Sequence, residues 1–224
     1  MKKTLQWLLL LCILISCEKQ VDQVTSDTGT SGNKANITLR ETYLPLTKGT
    51  HWKYNVASGS VKDPSIVRVL GLQKIIRGKT YEKVQVVKDS ERDTIFYNQT
   101  NDKYYMYTNS SGSGETVDLE LLFLYDDQPV NFEWQGTAGS TDGLPARYTG
   151  QILQRDISLT VNGTTYRHVI HTRVQVQVRI LFYVTASMED FYVAEGIGII
   201  KNISSVKLGD PSVTVSNITD YRVN

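Results

Sequence analysis

The side chains able to do chemistry in this chain are few and scattered. His168 and His171 form its close histidine pair. A strand sends residues three apart to opposite faces, so these two cannot share a metal ion. His168 is expected to pack and hydrogen-bond inside, and His171 to sit in water. Asp126 and Asp127, with Asp118 or Glu120, offer the oxygen ligands that calcium takes. Their spacing matches no EF-hand loop, and a turn is the simpler reading. Tyr104, Tyr105 and Tyr107, with Met106, could line a lipid or carbohydrate surface, although strand aromatics more often pack into a core. Arg167, Arg173 and Arg179, with Gln175 and Gln177, form either a partner-binding stripe or an ordinary solvated sheet face, and the second is favoured. There is no G-x-S-x-G, no H-E-x-x-H, no Walker loop and no dinucleotide fingerprint. Gly196-Ile197-Gly198 is no phosphate loop, because no helix follows it. The expectation is no catalytic residue, no metal, no cofactor and no enzyme.

The N-terminus carries a different chemistry. Lys2 and Lys3 precede an apolar run from Trp7 to Ile15, too short to span a bilayer comfortably. The run ends in Leu14-Ile15-Ser16-Cys17, which resembles the lipobox of bacterial lipoproteins. There a small residue admits the peptidase and the cysteine thiol is the acylation nucleophile. The expected layout is a signal peptide over 1–16, a lipidated Cys17 with a tether over 17–42, and a single β-domain over 43–224. Several acyl chains of the palmitate class would anchor stably, at about 0.8 kcal/mol per buried methylene. Glu18 in place of Asp favours the outer membrane by resemblance to the sorting rule of such proteins. Residues 18–42 are rich in Ser, Thr, Gly, Asp and Asn, and as a flexible coil would span roughly 28 Å.

Composition narrows the partners. Removing 1–16 leaves 22 basic residues against 23 acidic ones, a formal charge of −1. That gives no electrostatic case for nucleic acid or for an anionic membrane surface. Both cysteines lie in the first 17 residues, so the domain has neither disulfide nor thiol chemistry.

Thirteen tyrosines and few helix-forming runs favour strands. Trp52, Tyr54 and Val56 alternate with Lys53 and Asn55, which predicts a half-buried strand with Trp52 inside. Further strands are predicted at 65–76, 80–88, 92–98, 103–108, 146–161, 164–181, 188–195, 197–207 and 212–223. Segment 109–116 reads as a loop, and 117–125 is ambiguous between strand and helix. In 164–181, Tyr166, His168, Ile170, Thr172, Val174, Val176, Val178 and Ile180 share one parity. Arg167, His171, Arg173, Gln175, Gln177 and Arg179 share the other, with Val169 out of phase. Asn162-Gly163 is a two-residue hairpin signal. Together these give an all-β antiparallel meander of about eleven strands. With no helix to cover its dry face, the sheet must curve into a half-barrel, a barrel or a sandwich.

Four segments resemble a group of uncharacterised exported β-rich lipoproteins of Bacteroidota. They are Tyr43-Leu44-Pro45-Leu46 with Gly49 and Trp52, Leu124-Tyr125 to Trp134, Val161-Asn162-Gly163 with Tyr166, and Tyr192 to Ile200 through Gly196-Ile197-Gly198. Asn131 stands where the group carries a second glycine before Trp134. The resemblance implies a curved sheet like those of lipoprotein carriers and lipocalins. The leading expectation is a membrane-anchored, non-catalytic lipoprotein of the cell envelope that holds an apolar small molecule against Val174, Val176, Val178 and Tyr105. The alternative is an adhesin-like accessory module that binds an envelope protein or a glycan through its exposed face.

Overall fold

The computed structural model of the protein describes residues 42–224 apart from 89–90 and 113–114. The expected signal peptide, Cys17 and the expected tether as far as residue 41 lie outside the described residues.

Alternation of apolar and polar side chains builds strands that must hide one face, and here they hide it by closing. The twelve strands are β1 (His51–Ser58), β2 (Val61–Ile76), β3 (Lys79–Lys88), β4 (Glu91–Thr100), β5 (Lys103–Gly112), β6 (Glu115–Tyr125), β7 (Glu133–Thr141), β8 (Leu144–Val161), β9 (Thr164–Arg179), β10 (Tyr183–Ala194), β11 (Gly198–Val206) and β12 (Ser212–Arg222). Each pairs antiparallel with its sequence neighbour, and β1 pairs with β12 to close the barrel. Closure leaves no sheet edge to protect. The Asn162-Gly163 turn has both residues at positive φ, 47° and 82°, the geometry that matches strand twist in a two-residue hairpin.

A twelve-stranded barrel is wider than aliphatic side chains alone fill. This one is filled by aromatic rings. Trp52, Tyr54, Tyr97, Tyr104, Phe123 and Phe191 are all fully buried. Trp52 donates its indole N–H to the Ile197 carbonyl at 3.2 Å, and the Tyr54 hydroxyl donates to the Ile199 carbonyl at 2.8 Å. At the end where the chain arrives, Tyr43, Leu44 and Pro45 are buried. Gly196 N–H donates to the Thr42 carbonyl at 2.9 Å, and the Tyr43 ring meets Tyr104 edge-on. These residues stopper that end of the barrel.

Several expectations need correction. A twelfth strand, β7, runs where none was predicted, and 109–116 belongs to the β5–β6 hairpin, whose ladder runs out to Gly112 and Glu115. Segment 117–125 is strand, with Leu121 and Phe123 buried on one face and Glu120 and Leu122 buried on the other. His168 is exposed, and His171 is buried at 8% exposure. For His168 the cause is a pair of facing bulges between β8 and β9, whereas His171 keeps the outer face it shares with Arg173 and is covered there by the Tyr192 ring and Asp190. Asp156 and His168 both take positive φ at the bulges, 53° and 51°. The bulge turns His168 outward and leaves the alternation from Ile170 to Val178 in place. Val169, the out-of-phase apolar residue, is fully buried at that step. Ile180 is 55% exposed, because β9 ends at Arg179. Asn131 does adopt a glycine-like backbone, with φ 70°.

Candidate functional site

The sequence places an expected apolar ligand in the barrel interior. Val174, Val176 and Val178 face inward at 0, 3 and 2% exposure. They pack in one continuous core with the interior aromatics. Tyr105 is not with them. It lies half-buried on the outer wall, with the Lys79 ammonium 4.2 Å over its ring. The three valines therefore share a face, and the tyrosine is on the other side of the sheet.

The outer wall of β7, β8 and β9 carries a feature that single-strand patterning does not reveal. Register aligns Glu133, Gln151 and Arg173 across the three strands, and Gln135, Thr149 and Gln175 in a second row. The two rows edge a half-open groove of about 490 Å³ whose floor includes Trp134 and Gly150. One side is held rigid. Arg173 donates Nε–H and Nη2–H to the two oxygens of Asp190 at 3.0 and 3.1 Å, and Gln175 donates to Thr185 Oγ1 at 2.7 Å. Burial works against the Asp190 charge. Hydrogen bonds from His171 and Arg173 outweigh it and hold the carboxyl below its ordinary range. Asp190 thus neutralises Arg173 and leaves Glu133 as the uncompensated charge in the groove. The arrangement suits a neutral or cationic polar partner and disfavours an anionic one. Arg167 and Arg179 are exposed elsewhere on β9 and do not join the groove.

Two small residues shape this wall from within. A Cβ on Gly150 would sit 2.1 Å from the Trp134 ring, and one on Gly136 would sit 2.5 Å from the Tyr148 hydroxyl. Below the three paired positions Val117–Leu119, β6 and β7 separate. Side chains take over the freed carbonyls. Trp134 Nε1–H donates to Leu122 at 2.9 Å and Thr172 Oγ1–H to Phe123 at 2.7 Å. Burial pushes the Tyr148 hydroxyl up to about 12.

The remaining clusters are structural. His171 stacks on Tyr192 at 4.0 Å and lies 2.8 Å from Asp190. His168 pairs with Asp156 at 2.5 Å in the open. Neither histidine hydrogen-bonds a serine, threonine or cysteine among the described residues. Asp126 is buried and accepts from the Tyr104 hydroxyl at 2.6 Å. Burial, reinforced by that hydrogen bond, pushes the Tyr104 hydroxyl well above its ordinary range. The described residues contain no group of three or more His, Cys, Asp or Glu side chains fit to hold a metal. A second apolar cluster, Ile76, Tyr81, Phe96 and Tyr107, lies outside the barrel. There the β2–β3 hairpin folds over β4–β6 and Glu120 accepts from Tyr81 and, at 2.8 Å, from Lys79.

No protein-family model and no curated protein sequence matches this chain. Solved structures do share its fold. One is a candidate lipoprotein from Parabacteroides distasonis, at TM-score 0.52 and 9% identity, covering 82% of this chain and 99% of that one. Another is a candidate exported protein with a YmcC-like fold from Bacteroides fragilis, at TM-score 0.50 and 7% identity, covering 81% and 99%. Both come from Bacteroidota, the group that the sequence resembles. At these identities the likeness is one of fold.

Proposed function

We propose that the protein is a non-catalytic lipoprotein of the cell envelope, anchored at Cys17, that acts as an interaction module through its outer wall. The observation that carries this reading is the filled barrel. Val174, Val176 and Val178, the residues expected to touch an apolar ligand, are buried against other side chains of the chain itself. Dry, close-packed interiors leave binding to the surface. The groove of Glu133, Gln135, Thr149, Gln151, Arg173 and Gln175 is the surface with built polar geometry. The fold shared with a candidate lipoprotein and a candidate exported protein agrees with an envelope location.

Site-specific photocrosslinking in cells tests the reading. A crosslinker at Gln135 or Gln151 should give a discrete adduct, and Arg173→Glu should remove it. A crosslinker at the remote, exposed Ser158 should give none. Adducts at all three positions, or at none, would sink the groove as the partner site.

A further inference from the structure

One ionisable group is sealed inside the barrel wall. Glu189, on β10, has no solvent exposure. Register places Val174 of β9 on one side of it and Ser204 of β11 on the other. The Ser204 hydroxyl donates to Oε1 at 2.8 Å. The second oxygen, Oε2, accepts no well-formed hydrogen bond. Asn202 lies two residues along β11 and interacts with the same carboxyl. Its amide is oriented by a 3.2 Å bond from Nδ2–H to the Asp190 carbonyl. That leaves Oδ1 as its free end, and Oδ1 also has no partner. A buried carboxylate oxygen without a donor is costly, and a proton on it removes that cost and supplies a donor for a neighbouring acceptor.

We propose that Glu189 is a neutral carboxylic acid whose Oε2–H donates to Asn202 Oδ1, and that loss of this proton loosens the β9–β11 wall. The barrel then carries a built-in alkaline release, independent of what its outer wall binds. The surroundings isolate this one group. The neighbouring strands present Thr172, Val174 and Val176 from β9 and Asn202 and Ser204 from β11, none of which titrates. The adjacent charge is Asp190, which points outward to His171 and Arg173. Asp63 and Lys88, 3.8 Å apart, and Asp93 share the inner parity of β2–β4. Burial pushes the Glu189 carboxyl up to about 8, with Ser204, Asn202 and Ser187 pulling it down and Asp190 adding to the rise. A carboxyl raised on folding leaves stability intact while it is protonated in both states. Stability then falls as pH climbs from the unfolded value, about 4.5, to the folded one, about 8.

The experiment is the unfolding equilibrium of the full protein in detergent against pH, beside Glu189→Gln. Glutamine keeps the shape, accepts from Ser204 and donates to Asn202 with no proton to lose. The wild-type unfolding constant should rise by up to about tenfold per pH unit through that window relative to E189Q. Isotope-edited infrared spectra of the wild type should show a protonated-carboxyl band at neutral pH that fades above it and is missing from E189Q. Parallel pH profiles, or an ionised carboxylate throughout at about pH 6, would overturn the proposal. Should E189Q fail to fold, the wild-type band alone decides.

Discussion

At the scale of single residues, the barrel depends on a few large rings and on the small residues that make room for them. Trp52 has no exposed surface and bonds across the core to Ile197. Trp52→Ala should cost about 3–5 kcal/mol in urea unfolding; a loss well under 1 kcal/mol would put the indole in water. Gly150 is the complementary case. Its alanine would overlap the Trp134 ring, and Gly150→Ala should lower stability by at least about 1–3 kcal/mol, read as a fall in melting temperature. The burial of Trp52 was legible in the sequence because alternation alone implies it. The need for Gly150 was not, because it arises from a ring on another strand. The histidines show the same limit. Parity misplaced His168, which a bulge turns outward, and the out-of-phase Val169 was the trace it left; His171 is on the face that parity gave it, but the Tyr192 ring and Asp190 cover it there instead of water.

Among the elements, legibility followed how cleanly one face is wet. β9 reads plainly because Arg173, Gln175 and Gln177 alternate with Val174, Val176 and Val178. β6 does not, because the β2–β3 hairpin and the β7–β8 aromatics cover its outer face and erase the alternation. β7 was invisible for a compositional reason. Gly136 and Gly139 are poor strand formers in isolation, yet close packing requires a small residue at each. The polar grid on β7–β9 depends on that unseen strand, so the groove could not be assembled from the stripe on β9 alone. Register makes a direct prediction. Val176→Lys should unfold or severely weaken the domain by placing an unpaired charge in the core, while Gln175→Lys, one residue away, should change stability by no more than about 0.5 kcal/mol. Matched urea curves for the pair measure the asymmetry, and equal losses would mean the strand is out of register.

For the whole molecule, the proposed function keeps attachment and binding apart. The chain arrives at the stoppered end of the barrel, beside Tyr43 and Tyr104, and the groove lies on the wall. A barrel tethered at one end can present its side to a neighbour without admitting anything to its core. The proposed anchor rests on Ser16-Cys17, so Cys17→Ser should abolish incorporation of labelled fatty acid and move the protein out of the membrane fraction. Unchanged labelling would remove the anchor from the account. The central claim is that the barrel is filled and works from outside. Titration of the delipidated protein with a hydrophobic fluorescent probe tests it most directly: the filled barrel predicts no saturable binding and no effect of Val176→Thr on the signal, whereas saturable binding that Val176→Thr weakens would restore an apolar ligand to the interior and contradict it.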